Sequence, residues 1–213
     1  CSEKAGLARA LLLGCVLAGI SSQAFGRVIW SEEFNTGTAL NSAVWSYDLG
    51  ADGWGNLELQ EYTNRPENVR IENGNLVITA IRTESGFTSA RVRTQDKLTF
   101  KYGTIEARIK MPNLANGLWP AFWTLGNNFS VVGWPHCGEL DIVEMGSSES
   151  IIRGLINRWV GSTAHWEHNE NHVYYGRSLV ATADLNDDYH VFKMDWTPSL
   201  VTTYLDNQEI WAI

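Results

Sequence analysis

Cysteine is scarce in this chain, with three among 213 residues: Cys1, Cys15 and Cys137. Only Cys137 lies beyond residue 24, so an intramolecular disulfide is excluded there, and stability has to come from a packed core. About 190 residues are enough for one such core. Cys137 reads as a small buried apolar residue, because no Cys/His pattern accompanies it. A basic excess is also missing. Lys and Arg number 16 against 24 Asp and Glu, a net charge of −8. Without Glu3, Lys4 and Arg9 the balance is more acidic still. This argues against nucleic acid or an anionic membrane as a partner, and makes a neutral polymer a more natural one than an anionic polymer. Long apolar runs are absent too. The longest, Leu11 to Ile20, falls short of the roughly 20 residues a membrane-spanning helix takes. No internal repeat, low-complexity tract or interdomain linker interrupts the rest.

Residues 1–24 have the layout of a secretory signal. Lys4 and Arg9 form a basic start, Leu11 to Ile20 an apolar centre, and Ser22-Gln23-Ala24 a small-residue cleavage site. Secretion to the extracellular space or periplasm is therefore expected, with residues 25–213 as one domain. Leu12-Leu13-Gly14-Cys15 also loosely resembles a lipoprotein cleavage box, an alternative that would acylate Cys15.

Helical periodicity longer than two turns is lacking after the signal, and short strands fill its place. Asn68 to Glu72 and Leu76 to Ala80 alternate on either side of Asn73-Gly74, a strong hairpin signal. Tyr102 to Lys110 alternates and stops before Pro112, and Tyr189 to Trp196 and Leu200 to Leu205 repeat the pattern. Regular short strands of this kind predict an all-β antiparallel sandwich.

One strand is chemically unusual. Gly138-Glu139-Leu140-Asp141-Ile142-Val143-Glu144 sets three acids among large aliphatics. Alternation puts Glu139 and Asp141 on one face and Leu140 and Ile142 in the core. It would also bury Glu144, unless a single β-bulge after Asp141 returns it to the acid face; bulges are common beside active sites. Three like charges on one face cost stability, so a functional role explains them better than a bland surface strand. The outer Glu Cα atoms would lie roughly 13 Å apart at about 3.3 Å per residue. Side chains leaning inward would bring the carboxyls within about 5–6 Å, near the roughly 5–5.5 Å of a retaining glycosidase pair.

Trp is abundant, ten in all, and two Trp-bearing blocks precede the acidic strand: Gly117 to Trp123, and Gly133-Trp134-Pro135-His136. Indole faces match the apolar faces of sugar rings, and acids and amides bind hydroxyls. Trp119, Trp123 and Trp134 are therefore read as binding residues, and Trp30, Trp45, Trp196 and Trp211 as core. The stretch His165 to His172 lacks the H-E-x-x-H order of a zinc peptidase, and its Asn-rich surroundings suggest a loop. His165 alone is placed to reach the cleft.

Together these blocks resemble family 16 glycoside hydrolases, specifically the laminarinase-like endo-β-1,3-glucanases. The resemblance runs from Trp30-Ser31-Glu32-Glu33-Phe34 to the end of the chain. It includes Gly53 to Thr63, Ser89 to Thr94, Tyr102 to Lys110, Gly117 to Trp123 and Gly138 to Glu144. It implies a β-jelly-roll sandwich with an open cleft across the concave sheet. It implies Glu139 as nucleophile, Glu144 as general acid/base and Asp141 as their helper, with no cofactor for catalysis. Asn56, Arg91, Trp119, Trp123, Trp134 and His165 fall where the family lines its sugar subsites. Glu33 and the Gly74 carbonyl resemble a structural calcium site. A monomer acting on a neutral β-glucan is expected. The bulged spacing matches laminarinases, but agarases share it, so an agarase, a mixed-linkage glucanase and a non-catalytic glucan-binding module remain alternatives. The family's fold continues beyond a point equivalent to Ile213, so further C-terminal strands are expected to be missing from this chain.

Overall fold

Turn chemistry cuts this chain into short strands. Asn73 and Gly74 take φ of +52° and +73°, the left-handed pair that closes a two-residue hairpin with the right twist. The computed structural model describes residues 26–213, so the predicted signal of residues 1–24 lies outside the described residues. Contacts divide the chain into Cys1–Glu33 and Phe34–Ile213. The described part of the first unit, 26–33, holds no helix or strand.

The second unit holds fifteen strands: β1 (Ser46–Asp48), β2 (Gln60–Tyr62), β3 (Val69–Glu72), β4 (Asn75–Ile78), β5 (Ile81–Thr83), β6 (Gly86–Ser89), β7 (Arg91–Arg93), β8 (Gly103–Ile109), β9 (Ala121–Leu125), β10 (Glu139–Glu144), β11 (Trp159–His168), β12 (Asn171–Val180), β13 (His190–Trp196), β14 (Val201–Leu205) and β15 (Gln208–Ala212). Among the described residues helix is confined to two short pieces, Phe129–Val132 and Ser148–Ile152, and one 3-10 turn. Among the described residues no helix is long and apolar enough to cross a membrane.

Two four-stranded antiparallel sheets carry the fold, in the orders β12-β11-β10-β9 and β15-β14-β13-β8. Their inner rows follow strand alternation. Val160 and Ala164 point inward from β11, and Phe192 and Met194 from β13. Val160, Phe192 and Met194 join Ile142, Val143, Leu205, Met111, Leu114, Met145 and Leu185 in one apolar layer between the sheets. Smaller sheets, β1-β7, β2-β6-β5 and β3-β4, flank the pair. A second cluster of Leu40, Val69 and Ala90 supports them. Buried Asn68 ties them together, accepting from Thr63 Oγ1 at 2.7 Å and donating to Thr88 Oγ1 and the Thr79 carbonyl at 3.0 Å each.

Two expectations need correction. Residues 165–168 and 171–172 are strand, not loop; the turn is only Asn169 and Glu170, at φ +51° and +62°. The Asn-rich composition marked a tight hairpin, because Asn tolerates the left-handed conformation. Trp30 is 39% exposed rather than core, since it belongs to a stretch outside any strand. Trp211, in contrast, is 2% exposed.

Candidate active site

The acidic strand β10 lies between β9 and β11, and its register is broken where the sequence spacing requires. Glu139 pairs with His165 and Asp141 with Thr163, yet Glu144 pairs with Gly161. Ile142 and Val143 therefore share a single opposite residue, Ser162. The same shift appears against β9, where Asp141 pairs with Trp123, Val143 with Phe122 and Glu144 with Ala121. Directly opposed residues share a sheet face, so Glu139, Asp141, Glu144, Trp123 and His165 line one face. Ile142 and Val143 both enter the core.

Close approaches fix the ends of this strand. A Cβ on Gly126 would lie 1.9 Å from the Cys137 carbonyl oxygen, and one on Gly146 2.4 Å from that of Leu118. Only glycine permits either approach. The second sets the chain before Trp119 against the end of β10.

The electrostatics follow from crowding three acids in a half-dry sheet. Burial pushes Glu139 up to about 7, aided by the Asp141 charge and a hydrogen bond between the two carboxyls. Asp141, only 2% exposed, is pushed upward by burial and by the charge of Glu144. Glu144 is raised by burial and by the charge of Glu139. Each rise reflects the penalty on a carboxylate deprived of water beside another negative charge. Two indoles act the other way: Trp119 Nε1 donates to Glu144 Oε1 at 3.1 Å, and Trp134 hydrogen-bonds Glu139. His165 Nε2 lies 3.2 Å from Asp141 Oδ2, without hydrogen-bond alignment.

The predicted binding residues divide into two groups around this strand. On one side Trp134 packs near His165 and His172, at centroid distances of 6.0 and 4.5 Å. His165 Nδ1 is 2.9 Å from His172 Nε2. On the other side the Arg91 guanidinium is held between Trp54 and Trp123, 4.9 and 4.7 Å from their rings. Arg91 Nε also lies 3.0 Å from buried Asp48, which pairs with Arg93 as well. Asn56 is exposed on the loop that carries Trp54, and its amide donates to Glu58 Oε1 at 3.5 Å. That loop is braced by Glu58, which accepts from Gln60 at 2.6 Å and from the Tyr62 hydroxyl at 2.5 Å. Burial, reinforced by that carboxylate, raises Tyr62 to about 12.

Sequence reasoning did not single out Trp54, Tyr62 or His172. The first two stood inside the quoted block Gly53 to Thr63, and a two-residue hairpin brings His172 back beside His165. Glu33 and the Gly74 carbonyl are the groups implied for calcium. Gly74 has Asn35 Oδ1 3.4 Å from the place of a Cβ, and Glu33 belongs to the other unit. Among the described residues no three His, Cys, Asp or Glu side chains group to hold a metal, whereas calcium takes 6–8 oxygen ligands.

An acid triplet on a bulged strand, beneath indole donors and beside an aromatic-lined face, is a carbohydrate-cleaving arrangement. Residues 56–213 match Glycosyl hydrolases family 16. The chain belongs to that family. It is 38% identical over 191 residues to a glucan endo-1,3-beta-glucosidase of Cryptopygus antarcticus, covering 84% of this chain and 66% of that one. The laminarinase catalytic domain of Thermotoga maritima superposes with TM-score 0.72 at 37% identity, covering 88% of this chain and 76% of that one. A family 16 protein of the Bacteroides ovatus mixed-linkage glucan system, solved with product, gives TM-score 0.80 at 31% identity, over 87% and 78%. Proteins named β-1,3-glucan-binding are also among the relatives. The chain spans 26% to 70% of the length of the first curated relatives it matches. The architecture is thus the family's β-jelly-roll.

Proposed function

We propose that this chain is the catalytic part of a secreted, retaining endo-β-1,3-glucanase that cuts internal bonds of laminarin-like β-glucans. The observation that carries the reading is the register shift at Ile142, which returns Glu144 to the face of Glu139 and Asp141. Glu139 attacks the anomeric carbon as a carboxylate while Glu144 gives its proton to the leaving glycosidic oxygen. The C–O bond to the leaving sugar breaks as the Glu139 ester forms. Water then loses a proton to Glu144 and attacks the same carbon, releasing Glu139.

Burial and mutual repulsion raise all three acids. The proposed mechanism requires the proton on Glu144 and an anionic Glu139. The Trp134 hydrogen bond favours that charge on Glu139. Trp119 stabilises Glu144 once its proton has gone. The indole surfaces of Trp123 and Trp134 offer stacking faces for neutral sugar rings, and Arg91, Asn56 and His165 offer hydrogen-bonding groups.

Sizing the products from laminarin, lichenan and agarose tests the substrate. Short oligosaccharides from laminarin are expected, and release from agarose alone would sink the reading. The mixed-linkage alternative draws on the Bacteroides ovatus neighbour, and faster cleavage of lichenan than laminarin would favour it. Glucan binding without any new reducing ends would favour a non-catalytic module. For mechanism, Glu139→Ala should abolish cleavage, with azide restoring turnover to a product of inverted configuration. Rescue at Glu144 with that stereochemistry, and none at Glu139, overturns the roles.

Secretion rests on the basic, apolar and small-residue layout of residues 1–24; retention of the expressed full chain inside the cell would contradict it. Calcium at Glu33 and Gly74 rests on the resemblance alone, and a Tm unchanged by chelator and by added calcium would remove it. A monomeric mass in solution is expected.

A further inference from the structure

Behind the acid face lies a buried polar contact that the proposed chemistry does not use. The inward row of β11 reads Val160, Ser162, Ala164. Ser162 is fully buried between two apolar neighbours, where a hydroxyl is costly unless bonded. It is also the one residue facing the bulged pair Ile142 and Val143. Its Oγ donates to the Asp141 carbonyl, at the start of the bulge, over 2.6 Å. The same oxygen lies 2.9 Å from Thr203 Oγ1 on β14 and accepts from Trp211 Nε1 on β15 at 2.8 Å. All three side chains are buried, with Thr203 at 0% and Trp211 at 2% exposure.

The Ser162 hydroxyl is held by three partners. Ser162 has one proton and two lone pairs. The Asp141 carbonyl can only accept, and at 2.6 Å it is the nearer of the two acceptors that the hydroxyl reaches. Thr203 Oγ1 accepts from the same hydroxyl at 2.9 Å, and the Trp211 indole N–H donates into one of its lone pairs. A bulge interrupts the ladder and leaves its backbone underdetermined. Here a side chain anchored in the opposite sheet supplies the missing restraint.

We propose that Ser162, oriented by Thr203 and Trp211, is the positioning residue that holds the bulge at Ile142–Val143 and so sets Glu144 at its working place beside Glu139 and Asp141. Ser162 touches no substrate; it acts through the Asp141 carbonyl. The catalytic consequence rests on the role proposed above for Glu144, whereas the structural one does not.

The test separates the two. In the full chain with 13C-labelled glutamate carboxyls, Glu144 is titrated by NMR in the parent, Ser162→Ala and Thr203→Val. Loss of the clamp should let Glu144 leave its buried, crowded position, so its pKa falls toward the ordinary carboxylate range in both variants. An unchanged Glu144 titration in a folded variant overturns the proposal, whatever the activity. Thr203→Val keeps the shape of the side chain and covers the case in which Ser162→Ala fails to fold. The kinetic arm compares kcat/KM for laminarin with that for a dinitrophenyl laminarioligosaccharide, whose leaving group needs no proton. Ser162→Ala should lower the first by on the order of 10²-fold, the cost of a misplaced catalytic group, and leave the second nearly unchanged. Equal losses on both substrates indicate a merely structural residue and overturn the proposal. A parent chain inactive on every glucan would remove the proposed function, while the titration would still decide whether Ser162 holds Glu144.

Discussion

Trp119 donates its indole N–H to Glu144 Oε1 across 3.1 Å, from a side chain that is 53% exposed. An aromatic surface suited to a sugar ring therefore also tunes the adjacent acid. The bond favours ionised Glu144 and pulls its raised pKa back down. Trp119→Phe keeps an aromatic face and deletes the donor, so Glu144 should hold its proton to higher pH. The alkaline limb of kcat/KM on laminarin is expected to move upward in pH. A limb that stays in place or moves down contradicts the coupling.

Asp141→Asn should move the same limb in the opposite direction. Asp141 and Glu144 repel through a buried site, and removing one charge lets the other ionise more easily. The alkaline limb should shift to lower pH, and kcat should fall on the order of 10²-fold, the lower range for lost acid–base assistance. The pH–rate profile reads both effects.

Glu139→Gln tests what the crowded acids do to stability. Its carboxyl is raised from an ordinary value of 4.5 to about 7, so the folded state binds that proton more tightly than the unfolded chain. The contribution is fully present below pH 4.5 and is lost as pH rises through about 7. Gln carries no charge at any pH. The variant's Tm should exceed the parent's by a few degrees at pH 8, with the gap closing toward pH 4.5; solvent screening of this half-buried group limits its size. A pH-independent difference would show that the repulsion is not felt.

Arg91→Lys removes a plane from the stack Trp54–Arg91–Trp123 while keeping the charge beside Asp48. An ammonium neither stacks flat between indoles nor forks onto a carboxylate. A stability loss of about 1–2 kcal/mol is expected from two weakened cation–π contacts. KM for laminarin should rise with little change in kcat. Denaturant melts and steady-state kinetics on the same preparation check the two parts separately.

Local signals carried the reading of the fold as far as they reach. Asn73-Gly74 announced its hairpin because both left-handed positions sit in adjacent residues. The bulge was legible because Glu144 has the wrong spacing for a straight strand and would otherwise be buried. The hairpin at Asn169-Glu170 was misread as loop, since polar residues mark a long connection and a tight turn alike. Trp54 and Ser162 gave no local sign of their importance. Each owes its place to partners 37 to 49 residues away, Arg91 for one and Trp211 for the other, and pairing over that distance is set by sheet order rather than by sequence period. The acids themselves were visible, because charge in an apolar strand needs no partner to stand out.

The bulge at Ile142 also carries a consequence for how such a site can vary. Side chains on a strand count in twos, so an acid face survives only changes that respect that parity. Removing Ile142 would leave Glu139-Leu140-Asp141-Val143-Glu144 in an unbroken strand, with all three acids again at even spacing and no irregularity required. Adding one residue to that straight five-residue strand, with no bulge to absorb it, would turn Glu144 into the core. The face is therefore whole at five residues when straight but at six only when bulged, and point substitutions cannot carry the strand from one to the other.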